Sequence, residues 1–148
     1  MTITATTWCV FRLGGSSYAL DIGLVGEVLP AAAPTPLPRS PAGIAGLVNL
    51  RGRPLAVVDP WQLFDLQRPA GQQPTQVLVL RTAVDLAALP VDACAGVITA
   101  TSALLPADRD AHPPWVAGFL PLADGALAAV IAGPELLRRL DRLRPGST

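Results

Sequence analysis

Sixteen prolines and thirteen glycines cut this 148-residue chain into apolar pieces of about strand length. Proline removes a backbone donor and fixes φ, and glycine weakens a helix interior, so a chain punctuated this densely is barred from a bundle of long helices. Alternating apolar pieces between turn signals predict an all-β protein instead. "WCVFRLGGSSYALDI" predicts a hairpin, with Cys9, Phe11 and Leu13 on one side, a turn over Gly14 to Ser17, and Tyr18, Leu20 and Ile22 on the return. "LVGEVL" reads as a short strand or helical turn, and "PAAAPTPLPRSP" (30–41) as a loop or extended edge. "LVNL" and "PLAVVD" flank Arg51-Gly52-Arg53 as a second hairpin, and "PWQLF" follows as a short helix opened by proline. "QVLVL" and "LAALPV" form a further pair, "AGVITA" a strand and "SALLPADRDAHPP" a long loop. A helix from Pro134 to about Leu143 comes last.

The two halves of the chain resemble each other. "IAGLVNL" overlies "VAGFLPL" at an offset of 72 residues, "GRPLAVVDPWQLF" overlies "GALAAVIAGPELL" at 73, and "ALDIGLVGEVL" overlies "ALPVDACAGVI" at 69. Each unit, roughly 8–64 and 76–137, has too few residues to bury a core well alone. The units should therefore pack together, with an exchange of strands between them compatible with the repeat, and leave a seam of the kind that favours binding. Positions apolar in both halves, such as Leu50 and Leu122 or Val57 and Val130, are most simply core. Glu27 instead overlies Gly96, Asn49 overlies Pro121, and Arg51 falls where the second half offers Ala123-Asp124.

The composition narrows the function classes. The chain is 51% hydrophobic and 15% charged, which suits one self-folding globular domain rather than a disordered chain. Eleven basic residues, all arginine, balance eleven acidic ones, and without a basic cluster a nucleic acid or an anionic membrane surface is not the expected partner. The start "MTITATTWCVFRLGG" carries no leader-like or membrane-spanning run, so a cytoplasmic protein is expected. Cys9 and Cys94, far apart in apolar stretches, read as buried free thiols rather than a disulfide framework.

Chemistry-bearing patterns are sparse. His112 is the single histidine and sits in the polar, proline-bounded "DRDAHPP", where a solvated side chain is the plain reading. A Cys94–His112 dyad would make a small hydrolase, the remotest alternative, because the apolar flanks of Cys94 hold nothing to lower its pKa. Metal-ligand spacings, phosphate-cradling loops and nucleophile elbows are missing, so no metal, cofactor or catalytic residue is expected. Asp59 and Asp92 end apolar runs as caps or turn formers. Leu136, Leu137, Leu140 and Leu143 fit one face of a docking helix.

Glu27, Asn49, Arg51 and Gly52 stand out against this. A plain hairpin would explain them, with Gly52 at positive φ and wet arginines on either side. Yet Arg51 follows an apolar strand and Glu27 lies in another, so each is placed to neutralise the other where an isolated charge would be costly. An arginine fork held by a carboxylate is a fixed donor for a polar partner.

"FRLGGSSYALDIGLVGEVL…PAGIAGLVNLRGRPLAVVDPWQLF" resembles the CheW family of bacterial chemosensory adaptors, through an F-x-L-G-x-x-x-Y-x-x-x-I-x-x-V-x-E opening and a G-x-x-N-L-R-G-x-x-x-x-V-x-D centre. The second half fits more loosely, and the resembling domain spans 7–141. The resemblance implies two packed SH3-like five-stranded β barrels with short helices, one of them C-terminal, and no catalysis. It implies a scaffold bridging the cytoplasmic tip of chemoreceptors (methyl-accepting chemotaxis proteins) to the regulatory domain of a CheA-type histidine kinase in two-component signalling, recruited to membrane-associated arrays without inserting in the membrane. Carried over by position, the receptor-binding groove between the barrels involves Val25, Glu27, Gly46, Asn49, Arg51 and Gly52, and the kinase contact falls on a face of the second half. Ala132 departs from the family, which usually has a polar residue there. The alternative is a diverged module of a specialised pathway, such as type IV pilus or surface motility, without kinase coupling.

Overall fold

The computed structural model describes residues 5–39, 41–71, 73–82, 85–101 and 103–143. The chain opens with β1 (Thr6–Leu13) and β2 (Ser16–Asp21), then a 3-10 turn over Ile22–Leu24 and β3 (Val25–Pro30). β4 (Ile44–Leu50), β5 (Arg53–Val58) and the short α1 (Pro60–Leu63) follow, and then β6 (Gln76–Arg81), β7 (Leu86–Val91) and β8 (Ala93–Ala100). β9 (Leu105–Pro106), β10 (Val116–Pro121), β11 (Leu127–Ile131) and α2 (Gly133–Arg142) complete the described part. The hairpins and both helices fall where the apolar alternation and the prolines place them. Ile22 does not continue β2: it enters the 3-10 turn, whose first turn is capped by the Asp21 carboxylate on Gly23 N, and is 37% exposed. The loop after β8 also holds the two-residue β9, which pairs with β10.

Two sheets result, ordered β8-β1-β2-β11-β10-β9 and β3-β6-β7-β5-β4. Their first five strands follow one plan, each sheet having a single parallel pair, β11 with β2 and β5 with β7. β8, β11 and β10 thus stand where β3, β5 and β4 stand, and the β1–β2 hairpin corresponds to β6–β7. Residues 25–91 supply one sheet, and the other is assembled from the flanking parts of the chain. The repeat extends to irregularities: the register slips at Gly26 in β3 and Ala95 in β8, and at Ala45 in β4 and Ala117 in β10. A bulge bends its strand and increases the local twist, as a small sheet must to curl round a core.

Alternation in the strands divides the core into three. Val10, Ala19, Leu120, Ala128 and Val130 fill the inside of one sheet, and Leu55, Val57, Val77, Val79 and Ala88 fill the other. The largest cluster lies between the sheets. Cys9, Phe11, Leu13, Tyr18 and Leu20 meet Val58, Leu78, Leu80, Leu89 and Val91 there, under Leu136 and Leu140 of α2. An aromatic chain crosses it, Phe11 to Tyr18 at 5.7 Å, Tyr18 to Trp115 at 6.1 Å and Trp115 to Phe64 at 4.8 Å. Arg139 donates to the Leu63 carbonyl at 2.8 Å, fastening α2 to α1. The result is two SH3-like barrels sharing one apolar seam.

Candidate functional site

β3 and β4 are the outer strands of the 25–91 sheet. Glu27 lies on β3 immediately after the Gly26 bulge, and Arg51 opens the turn that leaves β4. That turn has two residues, Arg51 at φ 51° and Gly52 at φ 82°, since Arg53 already pairs with Leu50. Positive φ at both central positions is the hairpin turn whose twist matches the strands, and glycine or asparagine ordinarily takes the first of them. Here arginine holds the strained position. Its guanidinium reaches back across the open side of the sheet, Nη1 donating to Glu27 Oε1 at 2.6 Å and Nη2 to Oε2 at 2.8 Å. The two-pronged link therefore joins both outer strands of the barrel.

The pair is at the surface rather than inside, with the Arg51 side chain 71% exposed and that of Glu27 33%. Arg53 ties the other side of the turn to Asp85 Oδ1 at 2.6 Å. Hydrogen bonds from Arg51, followed by its charge, hold the Glu27 carboxyl below its ordinary value of 4.5, and the same bonds raise Arg51. A depressed carboxyl pKa means the link is fully present above the unfolded-state value and is lost as pH falls through the folded one. Carboxyl NMR titration of Glu27 should accordingly give a midpoint below 4.5 in the wild type and a return toward 4.5 in Arg51→Gln. Equal midpoints would show that the fork does not persist in solution.

The other expected groove residues have different surroundings. Asn49 is exposed on β4, and its side chain bonds no described residue. Val25 is 9% exposed and belongs to the apolar seam. Gly46 lies beneath a crossing chain: Thr35 and Leu47 exchange backbone hydrogen bonds, and a Cβ on Gly46 would sit 2.3 Å from Thr35 O. Thus Glu27 and Arg51 are in direct contact, whereas Val25 and Gly46 are accounted for by packing. In the second repeat Gly96 replaces the glutamate, and Asp124 accepts from Ala126 N of its own turn.

Cys94 and His112 find separate partners, Cys9 and Val10 O for the thiol, Asp108 and the Phe119 ring for the imidazole. Asp59 caps α1 by accepting from Trp61 N at 2.9 Å, and Asp92 accepts from Gly14 N at 2.8 Å. Ala132, the counterpart of Asp59, starts α2 without a side-chain cap. A cleft of about 360 Å³ opens elsewhere on the same barrel, bordered by Ala31, Pro34, Val48, Trp61, Arg68 and Pro90. The proline-rich stretch, legible only as a loop, supplies one of its walls. Among the described residues no three His, Cys, Asp or Glu side chains gather as a metal site, and no helix is long and apolar enough to cross a membrane.

A pair of SH3-like barrels carrying an exposed, carboxylate-held arginine between the outer strands of one of them defines a two-barrel class of β protein. The family model for the CheW-like domain matches residues 7–141, and the chain belongs to that family. It is 28% identical over 103 residues to the chemotaxis protein CheW of Rhizobium meliloti (strain 1021), covering 70% of this chain and 63% of that one. It is likewise 28% identical over 101 residues to a probable chemotaxis protein CheW of Rhizobium etli, covering 64% and 61%. The chain spans about six tenths of the length of these two relatives. The crystal structure of the scaffolding protein TtCheW from Thermoanaerobacter tengcongensis matches with a TM-score of 0.72 and 26% identity, over 88% of this chain and 86% of that one.

Proposed function

We propose that the protein is a non-enzymatic adaptor coupling the cytoplasmic tip of chemoreceptors to a CheA-type histidine kinase, with its receptor site around the Glu27–Arg51 pair. The observation that carries this reading is the fork itself. Arg51 occupies a backbone position that favours glycine or asparagine, and its side chain is held by Glu27 yet left largely exposed. Strain retained at an exposed position is characteristic of functional sites. A guanidinium oriented by a carboxylate keeps free donor edges for a partner's polar groups, and Asn49 beside it offers an unoccupied amide. The kinase would contact a face of the barrel completed by residues 93–131, away from the fork. Membership of the family and the named scaffold among its solved structures support the adaptor role.

Arg51→Asn separates support from contact, because an Asn-Gly pair suits this turn better than Arg-Gly. The variant should keep the wild-type melting temperature or exceed it. It should weaken binding of a receptor-tip fragment by about tenfold or more, as loss of an interface arginine commonly does. Binding of the kinase regulatory domain should stay unchanged in the same titration series. Undiminished receptor binding by the folded variant would remove Arg51 from the site.

A further inference from the structure

Cys9 and Cys94 are 85 positions apart in sequence, yet their Sγ atoms lie 3.9 Å apart. The approach depends on the Ala95 bulge. On β1, Cys9 and Phe11 face the seam between the barrels, while Val10 faces the barrel interior. Directly opposed residues of paired strands share a face. Val10 is opposite Gly96, so without a bulge Cys94 would face Arg12 and point away from Cys9; the slip puts it opposite Phe11 and turns it to the side of Cys9. No disulfide joins the two sulfurs. Cys9 is 1% exposed, whereas Cys94 is half-buried on β8, a terminal strand whose one ladder partner is β1.

We propose that Cys9 and Cys94 form a peroxide-oxidisable dithiol that closes to a disulfide between β1 and β8. Cys94, the less buried member, reacts first. The Cys94 thiolate attacks one peroxide oxygen, an S–O bond forms as the O–O bond breaks, and the second oxygen leaves as hydroxide and takes a proton to become water. The Cys9 sulfur then attacks Cys94 sulfenic acid. An S–S bond forms, the S–O bond breaks, and the hydroxyl departs as water with the Cys9 proton. In sum two thiols and one peroxide give one disulfide and two waters. Burial, and then its neighbour Cys94, push the Cys9 thiol up to about 12, which makes Cys9 the less suited of the two to attack peroxide first. Closure brings the sulfurs together by about 2 Å, through side-chain rotation and a small displacement of β8, which pairs on one side alone.

Hydrogen peroxide applied to the reduced full chain tests this, followed by denaturation, alkylation, digestion and mass spectrometry. The expected product is one cross-linked peptide pair holding Cys9 and Cys94, lighter by two hydrogens than its parts, with the free thiols falling from two to none and dithiothreitol restoring both. In Cys94→Ser, Cys9 should remain a thiol under the same treatment, and in Cys9→Ser a cyclic 1,3-diketone should trap Cys94 sulfenic acid. Two unreacted thiols, overoxidised Cys94 without a link, or a link between two chains in place of the internal one would each overturn the proposal. Oxidation of Cys9 at the wild-type rate in Cys94→Ser would do so too. If Cys9→Ser does not fold, the wild-type and Cys94→Ser outcomes decide.

Discussion

Replacing Phe11 by alanine is expected to lower the unfolding free energy by about 3–5 kcal/mol, a large share of the roughly 5–15 kcal/mol that holds a typical domain together. The ring is fully buried, stacks on Tyr18 and continues through Trp115 to Phe64. Phe64 ends α1 of the 25–91 barrel, whereas Phe11 and Tyr18 belong to the other one. Truncation therefore opens a cavity where the barrels meet. Val130→Ala, inside the β8–β11 barrel, removes fewer buried atoms, and about 1.5–3 kcal/mol bounds its transfer loss. Urea unfolding followed by tryptophan fluorescence and by far-ultraviolet circular dichroism checks both values. Because the seam draws buried side chains from both sheets, the two signals should trace one transition in each variant. Separate transitions, or a smaller loss for Phe11→Ala than for Val130→Ala, would contradict a shared core as the main support.

The repeat made much of this arrangement legible. Val57 and Val130, paired by the sequence offset, occupy matching places in the two small cores, and Leu50 and Leu122 pack at their margins. Periodicity identifies strands but does not say which sheet receives them, so the completion of one sheet by both flanks of the chain lay outside what local pattern conveys. Single-residue slips were equally hidden. Counting alternation along "VDACAG" gives no sign that Ala95 bulges, and hence none that Cys94 turns toward Cys9. Ile22 left its expected face because Asp21 could cap a 3-10 turn. For the site, charge compensation correctly paired Glu27 with Arg51, but the burial that motivated the pairing is not there: both side chains reach solvent. What distinguishes Arg51 instead is the combination of a positive φ, which Arg39 and Asp65 share, with the two-pronged link to Glu27, and residue identity does not reveal the backbone part of it.

Gly46→Ala should destabilise the protein more than Gly118→Ala does. These glycines are counterparts at the 72-residue offset, each beneath a chain that crosses the outer strand of its barrel. A Cβ at Gly46 would lie 2.3 Å from Thr35 O, and one at Gly118 would lie 2.7 Å from Leu105 O. Both contacts are to backbone fixed by hydrogen bonding, so overpacking should cost each variant about 1–3 kcal/mol. Gly46 also has φ 153°, a region that L-residues rarely enter, and its alanine variant carries a further strain of about 1–3 kcal/mol. Urea midpoints of the two variants measure the difference, and an equal or larger loss for Gly118→Ala would refute this account. The comparison also separates fold from site. The crossing chain and its glycine occur in both barrels, whereas Asn49 and the Glu27–Arg51 fork occur in one. A receptor-binding defect in Gly46→Ala should therefore scale with its loss of stability and recover on cooling, whereas the defect of Arg51→Asn should persist in a fully folded protein.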